Sequence, residues 1–242
     1  MIILLFFIGH WFLSLFFQTF FLHRYASHRV FSMNKFWEKT FYLATYIFQG
    51  SSFLKPAAYA TMHRDHHAFS DTEKDPHSPH FFEDIFQMMK ATAMTYQDHV
   101  RKADNPAIKV SGTYPEWITL DRMGSSIPSR ILFGLAYIAF YIAFASSFWW
   151  FLLLPIHFIM GPLHGAIVNW CGHKYGYSNF NNNDHSKNTT PFDFLMLGEL
   201  FQNNHHRHPN SANFGYRWFE FDPVYPLLKF MHWSGIIKLR KA

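Results

Sequence analysis

His63-Arg64-Asp65-His66-His67 is the stretch from which this 242-residue chain is best read. Its pattern is H-x-x-H-H. On a helix, positions i, i+3 and i+4 share one face, so three imidazoles point the same way within a turn. Helix stability does not call for them, since histidine is a middling helix former. Protonated, they would repel one another. A metal ion removes both objections, because neutral imidazole is a good ligand for Zn, Cu, Fe or Ni. A polar helix face carrying unrelated histidines would have the same spacing, so the triplet alone leaves both readings open.

The surrounding sequence is apolar and aromatic. Aromatic residues make up 21% of it and charged residues only 15%, against roughly 25% charged in ordinary soluble domains. That composition points to a membrane protein, while a mean hydropathy of −0.08 leaves much of the protein in water. Cys171 is the only cysteine, which excludes an internal disulfide and suits a reducing compartment. Residues 1–22 form an apolar run, about 33 Å long as a helix against a hydrocarbon core of ~30 Å. They lack the basic start and small-residue cleavage site of a signal peptide, so they read as a retained anchor with its N-terminus outside. Residues 131–170 are apolar again, interrupted at Pro155 and at Gly161-Pro162. They suit two crossings, 131–153 and 155–172, with Trp149-Trp150 at the outer interface and His157 and His164 inside.

Residues 36–54 are apolar but carry Glu38, Lys39 and Gln49. A single crossing there would put His23 and His28 on the opposite membrane face from His63, His66 and His67. The expectation is therefore a helix lying at, or dipping into, the interface. Residues 68–130 are polar and turn-rich, with Asp75-Pro76-His77-Ser78-Pro79 and Gly112-Thr113-Tyr114-Pro115. Of the 21 Lys and Arg, 13 fall in 23–130 and 8 in 171–242, which accounts for all of them. The positive-inside rule then puts both polar segments in the cytosol. The expected fold is an all-α integral membrane protein of one domain, 1–242. It has about three transmembrane helices, an interfacial helix and a cytosolic helical cap built from 23–130 and 173–242. The +5 charge follows that topology rather than one helix face, which argues against nucleic acid as a partner.

Three further groups fall on the same side. His23-Arg24-Tyr25-Ala26-Ser27-His28 is H-x4-H, a spacing that converges only if the helix ends or bends there. Asn169-Trp170-Cys171-Gly172-His173 is an i, i+4 pair. Gln202-Asn203-Asn204-His205-His206 repeats H-x-x-H-H with Gln in the first place. The eight histidines of these boxes are His23, His28, His63, His66, His67, His173, His205 and His206. They exceed what one first-row ion takes and fit two ions of five or six coordination. No cysteine stands at these positions, which argues against an iron–sulfur cluster or a zinc–thiolate site. Nitrogen-rich paired sites suit iron that binds O2. Asp65, Asp71, Asp75, Asp184 and Glu199 are candidate partners for the spare ring nitrogens.

The ordered boxes resemble the membrane fatty acid desaturases, especially the stearoyl-CoA (delta-9) branch. The likeness is carried by HRYASH at 23–28 and HRDHH with the following AFSDTEKDPHSP. VNWCGHKYGY at 168–177, GELFQNNHHRHP at 198–209, and Tyr216-Arg217-Trp218 with Phe221-Asp222 complete it. The resemblance implies two iron ions held by the eight histidines, with Asn169 acting directly or through a water. It implies removal of two hydrogens from a saturated acyl chain at delta-9, using O2 and two electrons from a ferredoxin or reductase. It implies a kinked acyl tunnel, for which His164 and Trp170 are lining candidates. Gln202 departs from the histidine of many relatives. One crossing before the first box, and no fused haem donor, look like short bacterial forms, so a bacterial inner membrane is expected. An acyl-chain hydroxylase shares the chemistry and is the alternative. A non-enzymatic membrane metal-binding protein is a second, but it would need ligands along a transmembrane path.

Overall fold

The computed structural model describes residues 1–105 and 113–240; Gly112, part of an expected turn, lies outside them. Helix α1 (Ile2–Phe17) runs without a break into a π-helix (Gln18–Ser27). Strand β1 (Phe31–Ser32) and helix α2 (Lys35–Gln49) follow, then α3 (Pro56–Phe69), α4 (Ile85–Asp104), α5 (Ile118–Ser125) and α6 (Ile127–Phe144). A 3-10 turn (Phe148–Leu153) leads to α7 (Leu154–Phe158) and α8 (Met160–Lys174). Helices α9 (Gln202–Arg207) and α10 (Val224–Trp233) and strand β2 (Lys238–Leu239) complete the fold. β2 pairs antiparallel with β1, Phe31 opposite Leu239.

Among the described residues, two helices are long and apolar enough to cross a membrane, Ile2–Ser27 and Ile127–Phe144. A third span exists if Phe148–Phe158 and Met160–Lys174 count as one, bent by 75°. The break falls at Ile159 rather than at Pro155. Pro155 occupies the first turn of α7, where its missing N–H has no partner to lose. Helix α6 starts at Ile127, capped by the Ser126 side chain, and ends at Phe144.

Helix α2 runs antiparallel along the π-helix and the end of α1. Tyr25 donates to Glu38, Tyr42 meets Phe21 edge-on at 5.2 Å, and Phe48 stacks on Phe17 at 5.1 Å. At its end Gly50 has φ +52°, and a Cβ there would lie 1.9 Å from the Tyr137 hydroxyl. The stretch 36–54 therefore climbs to the middle of α6, turns, and returns as α3 with His63 to His67 at its end.

Polar groups join the apolar helices. His10 Nδ1 lies 2.6 Å from His157 Nδ1, and the Tyr141 hydroxyl 2.9 Å from His157 Nε2. Such bonds hold helices together where apolar burial gives little preference. Arg24 is fully buried, donates to Asp222 at 2.7 Å and lies 3.7 Å over the Phe214 ring. It ties the C-terminal segment to the π-helix. The core there is Phe20, Phe21, Leu22, Tyr42, Val224 and Leu228.

Candidate metal centre

The H-x4-H pair converges because the backbone changes period. In a π-helix residues i and i+5 stack, as i and i+4 do in an α-helix. The bond from His28 N–H to the His23 carbonyl, 3.2 Å, spans five residues. Arg24 to Thr19 and Ser27 to the Leu22 carbonyl are also five apart. The helix ends at Ser27 with His28 as its C-cap, as the spacing required, and the π-helical turn before that end brings the two rings to one face.

The eight histidines fall into two groups. His23, His28, His63, His67 and His205 bring nitrogen atoms within 4.8 Å of one another, as do His66, His173 and His206. In the larger group, Nε2–Nε2 distances are 2.9 Å for His23–His205, 2.7 Å for His28–His63, 3.1 Å for His63–His67 and 2.9 Å for His67–His205. His66 and His206 lie 3.2 Å apart. Neighbouring nitrogens around one octahedral ion at about 2.1 Å would sit roughly 3.0 Å apart. The four distances of the larger group and the His66–His206 distance match that spacing, and His173 completes the smaller group within 4.8 Å, so the donor set fits a pair of first-row ions. Helices α3 and α9, the π-helix with its C-cap His28, and the end of α8 supply these imidazoles.

Carboxylates back the smaller group completely. His66 Nδ1 is 2.9 Å from both Asp75 oxygens, His173 Nδ1 is 2.8 Å from Asp71, and His206 Nδ1 is 2.7 Å from Asp184. A ring that donates through Nδ1 leaves Nε2 free of its proton and facing the group centre. The larger group has one such partner: His23 Nδ1 lies 2.6 Å from Glu199, in ion-pair contact but poorly aligned for a hydrogen bond. Glu199 is itself held by Thr19 and Arg24.

Burial first, and neighbouring imidazoles second, lower the pKa of His28, His63, His66, His67 and His205 well below the ordinary value. His206 is lowered less, because burial is opposed by Asp184. Burial would raise Asp71 and Asp184, but their hydrogen bonds from His173 and His206 outweigh it and hold both carboxyls low. Asp75 is raised to about 6 by burial. Neutral rings with charged carboxylates behind them are the state that ligates a cation.

A cavity of about 580 Å³ runs beside the larger group, between α3, α4 and α8. Tyr59, Met62, Met88, Ala93, Gly165 and Ala166 are among its walls, and His63 and Asn169 stand where it meets the histidines. A second cavity of about 30 Å³ adjoins it and touches Gln18, His164, Asn169 and Gln202. Asn169 donates to the Gly165 carbonyl at 2.8 Å, and Gln202 to the Glu199 carbonyl at 2.6 Å. Each amide keeps its oxygen for another partner. A Cβ on Gly172 would come within 2.4 Å of Gln202 Cγ, so glycine there makes room for it.

Two expected residues stand elsewhere. Asp65 is half exposed and pairs with His99 at 3.3 Å, away from every ligand. Trp170 lines neither cavity; its ring lies under the Lys174 ammonium at 3.6 Å. His77 belongs to no box, and its spacing assigns it no role. It is buried with its ring 4.5 Å from that of His66, and burial pushes its pKa down to about 3. The D-P-H segment is its only sequence signal, and Asp75 in that segment accepts the His77 backbone N–H.

Residues 1–231 match the family model described as fatty acid desaturase. A sn-1 stearoyl-lipid 9-desaturase from Synechocystis sp. is 31% identical over 187 residues, covering 73% of this chain and 53% of that protein. A hex-5-enoyl-[acyl-carrier protein] acetylenase from Moorena producens is 27% identical, covering 74% and 59%. An acyl-CoA 5-desaturase from Anemone leveillei is 26% identical, covering 85% and 61%. The chain thus spans a little over half the length of these relatives.

Proposed function

The chain belongs to the fatty acid desaturase family, and on that premise we propose that it is an O2-dependent, di-iron acyl desaturase of a cell membrane. The observation that carries this reading is the junction of two convergent histidine groups with a cavity of about 580 Å³ lined largely by apolar side chains. The volume lies within the usual range of ligand sites.

His23, His28, His63, His67 and His205 would hold one iron, and His66, His173 and His206 the other. Asn169 and Gln202 would offer amide oxygens, directly or through water. When bound, the iron pair would let O2 act as the oxidant of an unactivated carbon pair. One saturated carbon pair, O2, two electrons from an external donor and two protons become one alkene and two waters. The protein's own part is to hold, orient and shield. Asp71, Asp75 and Asp184 fix the imidazole tautomers behind one group, and Glu199 steadies His23. The walls of α3, α4 and α8 hold the acyl chain with one carbon pair against His63 and Asn169. Bond position nine is favoured because the 31% identical relative is a stearoyl-lipid 9-desaturase. The Lys and Arg distribution supports a site on the cytosolic face of the membrane, and the likeness to short forms without a fused haem donor favours a bacterial inner membrane.

The test is gas chromatography–mass spectrometry of lipids from an expressing host, with bond positions read from disulfide adducts. New delta-9 alkenes are expected, with two irons per purified chain and loss of both in a His63→Ala variant. Hydroxylated chains without alkenes would overturn the desaturase reading in favour of a hydroxylase. One labile zinc per chain would overturn the di-iron one.

A further inference from the structure

Residues 191–197, Pro-Phe-Asp-Phe-Leu-Met-Leu, lie in a stretch whose charge assigns it to the cytosol, yet they pack against the first apolar helix. The indole N–H of Trp11 donates to the Leu195 carbonyl at 3.2 Å. Met196 is fully buried and packs with Leu15 and Leu200 against the α8 residues Ile167 and Val168. The segment therefore lies along the apolar length of α1.

Its depth follows from the helix beside it. α1 and α6 run antiparallel, with Phe6 against Phe140 at 4.3 Å and His10 against Tyr137 at 5.1 Å. Trp11 is thus level with residue 136 or so. The polar end of α6 is marked by Arg130, which donates to the Ser51 and Phe53 carbonyls. Six residues of helix place Trp11 about 9 Å on the apolar side of Arg130.

Three large side chains of this segment nonetheless face outward: Phe192, Phe194 and Leu195 are 61%, 57% and 62% exposed. On α1 the exposed Leu4 and Ile8 share the Trp11 face, at i−7 and i−3, so the apolar surface is continuous from one to the other. An irregular segment survives in hydrocarbon only if its backbone polar groups are satisfied from within the protein. The Asp193 carboxylate is buried and accepts the N–H groups of Met196 at 2.9 Å and Leu200 at 2.8 Å. The Asp193 carbonyl takes Gly198 N–H, the Met196 carbonyl takes Glu199 N–H, and the Phe192 carbonyl takes the Thr190 hydroxyl. Trp11 supplies the bond to Leu195.

We propose that residues 191–197 dip into the lipid leaflet beside α1, with Phe192, Phe194 and Leu195 against the acyl chains of the bilayer. The partner is lipid rather than a protein, because the patch continues the membrane-facing surface of α1. This extends the membrane contact beyond the end of α8, into a region whose charge distribution alone reads as cytosolic. It also leaves only three residues between the lipid-facing Leu195 and Glu199, the residue that steadies His23.

The experiment is spin labelling in a Cys171→Ser background, in the full-length protein reconstituted into phosphatidylcholine vesicles. Single cysteines replace Phe194, Leu195, Leu5 of α1 as the lipid reference, and the exposed loop residue Glu73 as the water reference. Power saturation is read with oxygen and with a membrane-impermeant paramagnetic chelate. Labels at 194 and 195 should collide more with oxygen than with chelate, as at 5 and opposite to 73. If both instead match residue 73, or are shielded from both reagents by a protein partner, the proposal is wrong. Monodisperse elution confirms folding, and a Phe192→Cys label replaces either position that disturbs it. None of these readings depends on desaturase activity.

Discussion

Asp65 and Asp184 separate what sequence spacing can and cannot say about single residues. Asp65 lies between ligands in the sequence, yet it sits two residues after His63 and one before His66. Those offsets turn it to another face of α3, which the helical period alone could have indicated. Asp184 lies 22 residues before His206 and meets its Nδ1 at 2.7 Å through a loop that no local pattern encodes. Replacing Asp184 with Asn should leave the protein folded and weaken iron retention by about 10- to 100-fold, as loss of an outer-shell carboxylate does. Asp65→Asn should leave retention unchanged. Chelator titration of the purified proteins measures both, and equal losses would remove the assigned difference. The eight histidines were legible because box spacing and order report them. The carboxylates were legible only as a pool of five, since pairing is decided by tertiary approach.

At the level of elements, the π-helix is what sequence reasoning lacked. The apolar run and the breaks after it were readable from composition and period. H-x4-H implies an end or a bend, and the helix does end at Ser27 with His28 as its C-cap. What an α-helical period does not show is that the backbone widens its turn over Gln18–Ser27, so that five-residue spacing becomes same-face spacing. Deleting Ala26 should let this stretch relax to an α-helix with the two histidines four apart and still aligned. Inserting one alanine beside Ala26 puts them six apart and out of line. Iron per protein, measured by plasma emission, should survive the deletion better than the insertion. The opposite order would sink this account of the first box. The climb of α2 to Gly50 and its return through α3 was legible only in outline, as a dipping segment. Its depth depends on the Gly50–Tyr137 approach, which lies between distant parts of the sequence.

For the molecule as a whole, eight lowered imidazoles outside the spanning helices make stability depend on pH when no metal is bound. They are His28, His63, His66, His67, His77, His99, His205 and His206. Below the ordinary histidine value of 6.5 the unfolded state binds protons that the folded state refuses. Stability therefore falls as pH falls through that value, by up to about 1.4 kcal/mol per pH unit for each proton of difference. Asp71 and Asp184, held low, act in the same direction at lower pH. Asp75 and Asp193, each raised by burial from 3.8 to about 6, act oppositely between those values, as does the raised Asp121, three carboxyls against eight imidazoles. Thermal unfolding in detergent with a chelator present should show a midpoint that drops steeply from pH 7.5 to 5.5. A flat or rising midpoint would contradict neutral, buried rings.

The pairing of His23 with His205 also sets a schedule. The two are separated by 182 residues, and a ribosome adding about 5–20 residues per second needs roughly 9–36 s to cover that distance. Until then the larger group lacks its fifth imidazole and is incomplete, and the Glu199 that steadies His23 has only just been made. Metal capture would thus be among the last events of biogenesis, after the apolar helices have met the membrane.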